Sequence, residues 1–366
     1  MPVIAEPPGP MSAKHPDEGS DSPLTPRRLI LGSLFIIVSI AGLYLLLPKV
    51  AGLHQTWGQL RHGDPLYLAL GAALEVLSIA GYTVLFRTVF GRGGQRIDWR
   101  VSIQIPLAGI AAIRLLAAAG AGGVAVSAWA LSRAGMSSRT IVCRMVASYV
   151  VQYSVYLGAL IVCGFGLREG WFSGEAPFLL TVVPALLCCG VLAVVAAMAL
   201  VPGDWERGLQ GLARQRGRAG RLAARLVQAP ATVGAGVRTA AALIRERRFG
   251  LLGAVAYWGF DIAVLGVCCR AFGSVVPVAV LVMAYFLGTL GSLLPLPGGV
   301  GGVEGGMIGA LAAFGVPGGQ AVVGVLAYRA ISFWLPTLPG VVGYFRLRGT
   351  VRRWREEDRS QARAVS

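Results

Sequence analysis

Six apolar runs long enough to cross a bilayer constrain this chain more than any other feature. They lie at Leu29–Leu47, Leu66–Phe86, Met145–Gly164, Pro177–Val201, Phe249–Cys269 and Gln320–Phe345. A helix needs about 20 apolar residues to cross about 30 Å of hydrocarbon. Composition agrees, with 55% apolar residues, 14% charged residues and a mean hydropathy of +0.67, where soluble domains carry about 25% charge. Glycine, at 51 of 366 residues, suits helices that pack closely in lipid. These figures argue against a soluble enzyme, a secreted disulfide domain and a disordered chain. The expected fold is all-α, a polytopic membrane helical bundle.

Two further apolar regions, Val101–Ala134 and Pro277–Gly315, are interrupted by glycine and proline. Each divides into two arms of about 15 residues, too short for an ordinary crossing. They are expected to form re-entrant helical hairpins, which are tolerated only inside protein or against a cavity. A pair of tilted full spans is the alternative, and either returns the chain to its starting side.

Arginine sets the expected orientation. Lys14 and Lys49 are the only lysines, so the net charge of +16 is almost all arginine. Arg27 and Arg28 precede the first run, Arg87, Arg92, Arg96 and Arg100 follow the second, and Arg133, Arg139 and Arg144 follow the first hairpin. The segment Pro202–Arg248 holds ten arginines against three acids, and Arg346, Arg348, Arg352, Arg353 and Arg355 follow the last run. All fall on one side if each long run crosses once. The positive-inside rule then puts both termini in the cytosol. Because the basic residues flank apolar segments, the charge reads as a membrane signal, with membrane phospholipid as the partner and no nucleic acid. Residues 1–28, with seven prolines in Met1–Pro26, read as a disordered cytosolic tail. Residues 29–348 read as the membrane domain and 349–366 as a charged cytosolic tail. In the inner loop, Arg207, Arg214, Arg218, Arg221 and Arg225 share a helical face, as an amphipathic helix on anionic lipid or a solvated helix would show.

The hairpin regions resemble each other. Leu115 to Val124 aligns with Leu293 to Val303, and Leu131…Gly135 with Leu311…Gly315. By the arginine count the two hairpins enter from opposite sides, so the halves are expected to form an inverted repeat.

Ionisable groups inside apolar segments are costly, at roughly 2.5–3.5 kcal/mol each on insertion scales. Glu75, Arg114, Asp261, Glu304 and Arg329 therefore call for a reason. One reading is a midplane anion site. Arg114 and Arg329 would attract a phosphate, and the bends at Gly120, Gly122 and Gly123 and at Gly298, Gly299, Gly301 and Gly302 would present backbone N–H groups at half-helix starts. Glu304 would gate the site or balance its charge, and Pro295 and Pro297 would break the arriving helix as a hinge. The other reading is structural pairing of Arg329 with Glu304 and of Arg114 with Glu75 or Asp261. Glu75 and Asp261 are also candidates for coupling.

Several chemistries lack their residues. Neither lysine sits in a phosphate-binding Gly-Lys-Ser/Thr loop, and there is no Gly-x-Ser-x-Gly or His-Glu-x-x-His. His15, His54 and His62 lie outside the apolar runs, and the six cysteines, none in Cys-x-x-Cys spacing, lie within or at the ends of them. No metal, cofactor or catalytic residue is expected.

The string Leu293-Leu294-Pro295-Leu296-Pro297-Gly298-Gly299-Val300-Gly301-Gly302-Val303-Glu304, followed by Tyr328-Arg329 and Trp334-Leu335-Pro336, resembles the transmembrane region of lysylphosphatidylglycerol synthases, the flippase-like UPF0104 family. The resemblance spans roughly residues 29 to 348. It implies a bacterial plasma-membrane protein. In bifunctional members this region moves an aminoacylated phospholipid between leaflets, and a separate C-terminal domain makes it. Glu304 and Arg329 match the family's acid and base in the second half. Ala125 stands where members often carry an acid in the first. With the chain ending soon after Arg348, no synthase domain and no aminoacyl transfer are expected.

The function expected from these observations is translocation of an anionic phospholipid or lipid-linked phosphate. A membrane-embedded transferase, or its accessory subunit, acting on polyprenyl-phosphate carriers is the alternative. A third reading is a scaffold that recruits a separate lipid-modifying enzyme through the basic inner loop.

Overall fold

The computed structural model describes residues 63–91, 96–115, 121–200, 233–293 and 299–365. The first apolar run, the N-terminal tail and the arginine face at 207–225 lie outside them. Among the described residues all regular structure is helical. In order come α1 (Pro65–Phe90), α2 (Trp99–Leu115), α3 (Ala121–Arg133), α4 (Ser138–Arg168), α5 (Phe178–Leu200), α6 (233–245), a 3-10 turn (Phe249–Leu252), α7 (Gly253–Ala271), α8 (Val278–Thr289), a second 3-10 turn (Leu290–Leu293), α9 (Gly302–Ala313) and α10 (Gly318–Val365).

Five helical segments are long and apolar enough to cross a membrane: Pro65–Phe90, Ser138–Arg168, Phe178–Ala199, Phe249–Ala271 and Gly318–Ala364. They coincide with the five described runs read from sequence. Local chemistry sets their starts. Asp64 accepts from Leu66 N at 2.9 Å with Pro65 in the first turn, and Ser137 accepts from Thr140 N at 3.3 Å, as N-caps do. Leu179 and Leu187 of α5 are 73% and 67% exposed, as expected of a helix facing acyl chains.

The two interrupted regions form α2–α3 and α8–α9, with arms of 17, 13, 12 and 12 residues. All fall short of the length a crossing needs. Both hairpins end in the same way. Met136 N bonds Leu131 O and Val316 N bonds Leu311 O, while Gly135 (φ 90°) and Gly315 (φ 85°) take the left-handed conformation. This is the Schellman stop, which favours glycine, and it explains why Leu131…Gly135 and Leu311…Gly315 match in sequence.

Helices α1 and α7 form the central contact and run antiparallel. Asp64 N bonds Ala271 O at one end, Ser78 Oγ bonds Tyr257 O midway, and Thr88 meets Gly250 at the other end. The hairpins that follow these helices therefore open at opposite ends of the bundle. The first arm of each packs on the long helix after the other, α2 on α10 and α8 on α4. This exchange is what an inverted repeat produces. Two buried clusters result, one around each hairpin.

Residues 349–365, within the charged tail read from sequence, continue α10, which runs for 48 residues. Leu347, Val351 and Trp354 keep a buried stripe at helical spacing, and Arg96 grips Asp358 through two nitrogens at 2.5 and 3.2 Å.

Candidate functional site

The site is built on one face of α10. Arg329, Phe333 and Thr337 stand four residues apart, so they stack along that face. The guanidinium carbons of Arg114 and Arg329 each lie 5.4 Å from the Phe333 ring centroid. The two cations, remote in sequence, thus share one aromatic ring. Arg114 Nη1 donates to Phe333 O at 2.6 Å and to Thr337 Oγ1 at 3.3 Å. The Thr337 hydroxyl donates to the same carbonyl. Pro336 and Pro339 lie within this stretch, where proline lacks the N–H that continues the ladder.

Arg329 is paired. Its Nε donates to Glu304 Oε1 at 2.7 Å, and Gly301 N donates to Glu304 Oε2 at 2.7 Å. The Glu304 side chain is 3% exposed and that of Arg329 14%. Glu304 is the third residue of α9, so its carboxylate lies where the helix N-terminus favours negative charge. A guanidinium and a backbone amide converging on one carboxylate make an anion cradle, with Glu304 as its internal occupant.

On the other side of Arg114, Glu75 of α1 and Asp261 of α7 are 3% and 8% exposed. Tyr285 donates to Asp261 Oδ2 at 2.5 Å. Arg114 interacts electrostatically with Glu75, Asp261 and Arg329, but its hydrogen bonds go to α10.

Of the residues singled out from sequence, the fold gathers Arg114, Arg329, Glu304, Gly301, Glu75 and Asp261. Gly302 begins α9 and Gly299 precedes it. Gly122 and Gly123 are buried in α3, and a Cβ at Gly123 would lie 2.6 Å from Ile113 Cγ1 and 2.9 Å from Gly109 O, so Gly123 serves the packing of α2 on α3. Gly120, Gly298, Pro295 and Pro297 lie outside the described residues. Phe333, Thr337 and Tyr285 were not anticipated. The four-residue step from Arg329 to Phe333 is the one signal that pointed to the first of them. Among the described residues no group of three or more His, Cys, Asp or Glu side chains is placed to hold a metal ion.

The model of the family described as "Lysylphosphatidylglycerol synthase TM region" matches residues 29–340. The chain belongs to this family. A protein of Methanothermobacter thermautotrophicus described as a UPF0104 membrane protein is 24% identical over 326 residues, covering 86% of this chain and 95% of the relative. Another match to a UPF0104 membrane protein of that organism is 34% identical over 103 residues, covering 27% and 29%. The family match takes in both hairpins, α1 and most of the membrane part of α10. It thus covers every residue of the cradle, and it describes a transmembrane region with no catalytic domain shown.

Proposed function

We propose that this multi-pass membrane protein moves an anionic phospholipid, or a lipid-linked phosphate, between the leaflets of a bacterial plasma membrane, with both termini cytosolic. The observation that carries this reading is the cradle. Arg114 and Arg329 flank one ring, and an internal carboxylate already occupies the position where Arg329 and the Gly301 amide converge. A phosphate offers the same partners the same acceptors, with more charge. Glu304 then acts as a competitor that keeps Arg329 neutralised while the site is empty and yields when a head group arrives. The two hairpins open toward opposite ends of the bundle, which suits access alternating between leaflets.

A recess of about 410 Å³ lined by Val84, Arg87, Thr88, Gly91, Trp99 and Arg248 lies where the first hairpin opens. The Arg87 guanidinium sits 4.1 Å from the Trp99 ring centroid. In this reading the recess receives head-group phosphates from the cytosolic leaflet.

The test is leaflet exchange in proteoliposomes carrying a fluorescent phosphatidylglycerol or a fluorescent phosphatidylcholine. The expected result is faster exchange of the anionic lipid. Arg114→Gln is expected to slow it roughly tenfold or more, since a hydrogen bond to a charged group is worth about 1.5–3 kcal/mol. Equal rates for both lipids, with and without protein, would overturn the reading.

A further inference from the structure

The juxtaposition of Glu75 and Asp261 is not used by the cradle. It follows from the antiparallel register of α1 and α7. Ser78 bonds the Tyr257 carbonyl, and a Cβ on Gly71 would meet Val264 and Val267, so the level between them places residue 75 opposite residue 261. The two carboxyls are therefore neighbours in the buried contact between α1 and α7, 3% and 8% exposed. Glu75 Oε2 and Asp261 Oδ1 are buried and have no hydrogen-bond partner. Tyr285 donates to the other Asp261 oxygen, Oδ2.

Both unpartnered oxygens can only accept while ionised, and a proton held between the two carboxyls would give each of them a hydrogen bond. Two bare carboxylates in contact within a membrane would add mutual repulsion to a double desolvation cost. The other charged and titratable groups facing the pair are Arg114 from α2, Tyr257 from α7, Tyr285 from α8 and Tyr328 from α10. Arg329 also reaches Arg114, and its charge is met by Glu304 of α9. Arg114 is thus the nearby cation not bound to a carboxylate, and it is turned toward Phe333 and Thr337.

We propose that Glu75 and Asp261 form one proton-binding site, and that the proton they share leaves Arg114 available to an anionic head group. Loss of the proton leaves two carboxylates beside Arg114. The guanidinium then swings from Phe333 O to the pair, as a close ion pair requires. Head-group binding and proton binding therefore favour each other, and the two travel together. This coupling deepens the transport reading and rests on it. The proton site itself does not.

Infrared spectroscopy of the purified full chain in lipid nanodiscs tests the site directly. A carboxylic-acid C=O band is expected in the parent protein and is expected to vanish in both Glu75→Gln and Asp261→Asn. Absence of the band in the parent, or its persistence in both variants, overturns the proposal. The coupling is read in proteoliposomes with fluorescent phosphatidylglycerol and an imposed pH gradient. The gradient is expected to bias the leaflet distribution for the parent and to leave it unbiased for both variants, with thermal unfolding confirming that they fold. Exchange that ignores the gradient in the parent overturns the coupling. No exchange at all, with the infrared band present and lost in both variants, strikes the transport reading and leaves the proton site standing.

Discussion

Replacing Arg329 by alanine is expected to bring anionic-lipid exchange down to the protein-free background and to destabilise the protein. Glu304 would remain, 3% exposed, with its cation removed, and stranding one member of a buried pair costs about 3–5 kcal/mol. Exchange lost through unfolding and exchange lost through the site must be separated, and the double variant Arg329→Ala/Glu304→Ala does so. With both charges gone, neither position leaves a stranded buried charge, so much of the stability is expected to return. Exchange is not expected to return, because the head group has lost a guanidinium that the structure places on the Phe333 ring beside Arg114. If the pair served only to pin α9 to α10, the double variant would recover stability and exchange together. Thermal unfolding and leaflet exchange measured on both variants complete the comparison.

The second large effect is expected at Gly291, where the arms of the second hairpin cross. A Cβ there would lie 2.1 Å from Gly302 O and 2.2 Å from its carbonyl carbon. Both are backbone atoms at the start of α9, so no side chain can rotate away. Gly291→Val must push the α9 N-terminus outward, and overpacking of this kind costs about 1–3 kcal/mol or more. The displaced N-terminus carries the Gly301 amide and Glu304, so loss of stability and loss of exchange are expected together. Gly309→Ala is the control. It lies in α9, a Cβ there meets nothing within 4 Å, and alanine favours helix by about 1 kcal/mol over glycine. No loss of stability or exchange is expected from it. Equal effects of the two substitutions would contradict the crossing.

Much of this architecture was legible because membranes impose simple rules. Run length alone located the five described spans, since hydrocarbon thickness fixes how many apolar residues a helix needs. Glycine and proline marked both hairpins, and the match of Leu131…Gly135 to Leu311…Gly315 reflected a shared helix stop. The site charges stood out because the bilayer penalises them. Partnership was less legible. The sequence offered Arg114 either an anionic ligand or a pairing with Glu75 or Asp261, and it gave no sign of the hydrogen bonds that Arg114 makes to the Phe333 carbonyl and Thr337. That outcome depends on how α2 meets a proline-bearing stretch of α10. Phe333 resembles any apolar residue of a span until two guanidinium groups are seen against it. The placement of Glu75 opposite Asp261 is set by the α1–α7 register, which close approach fixes: a Cβ on Gly253 would lie 2.4 Å from Gly81 O. No local pattern encodes it. The continuation of α10 past residue 349 was hidden for a similar reason. The many charges there gave no sign of a helix, while Leu347, Val351 and Trp354 supply the buried stripe.

The central claim is that a negatively charged head group enters the space beside Phe333, between Arg114 and Arg329. Photocrosslinking with a phosphatidylglycerol bearing a photoreactive group on its glycerol head tests it most directly. The account predicts label on the Arg329–Thr337 stretch of α10 and near Arg114, diminished by excess unlabelled phosphatidylglycerol but not by phosphatidylcholine. Label confined to the lipid-facing surface of α5, or spread evenly and unaffected by either competitor, would contradict it.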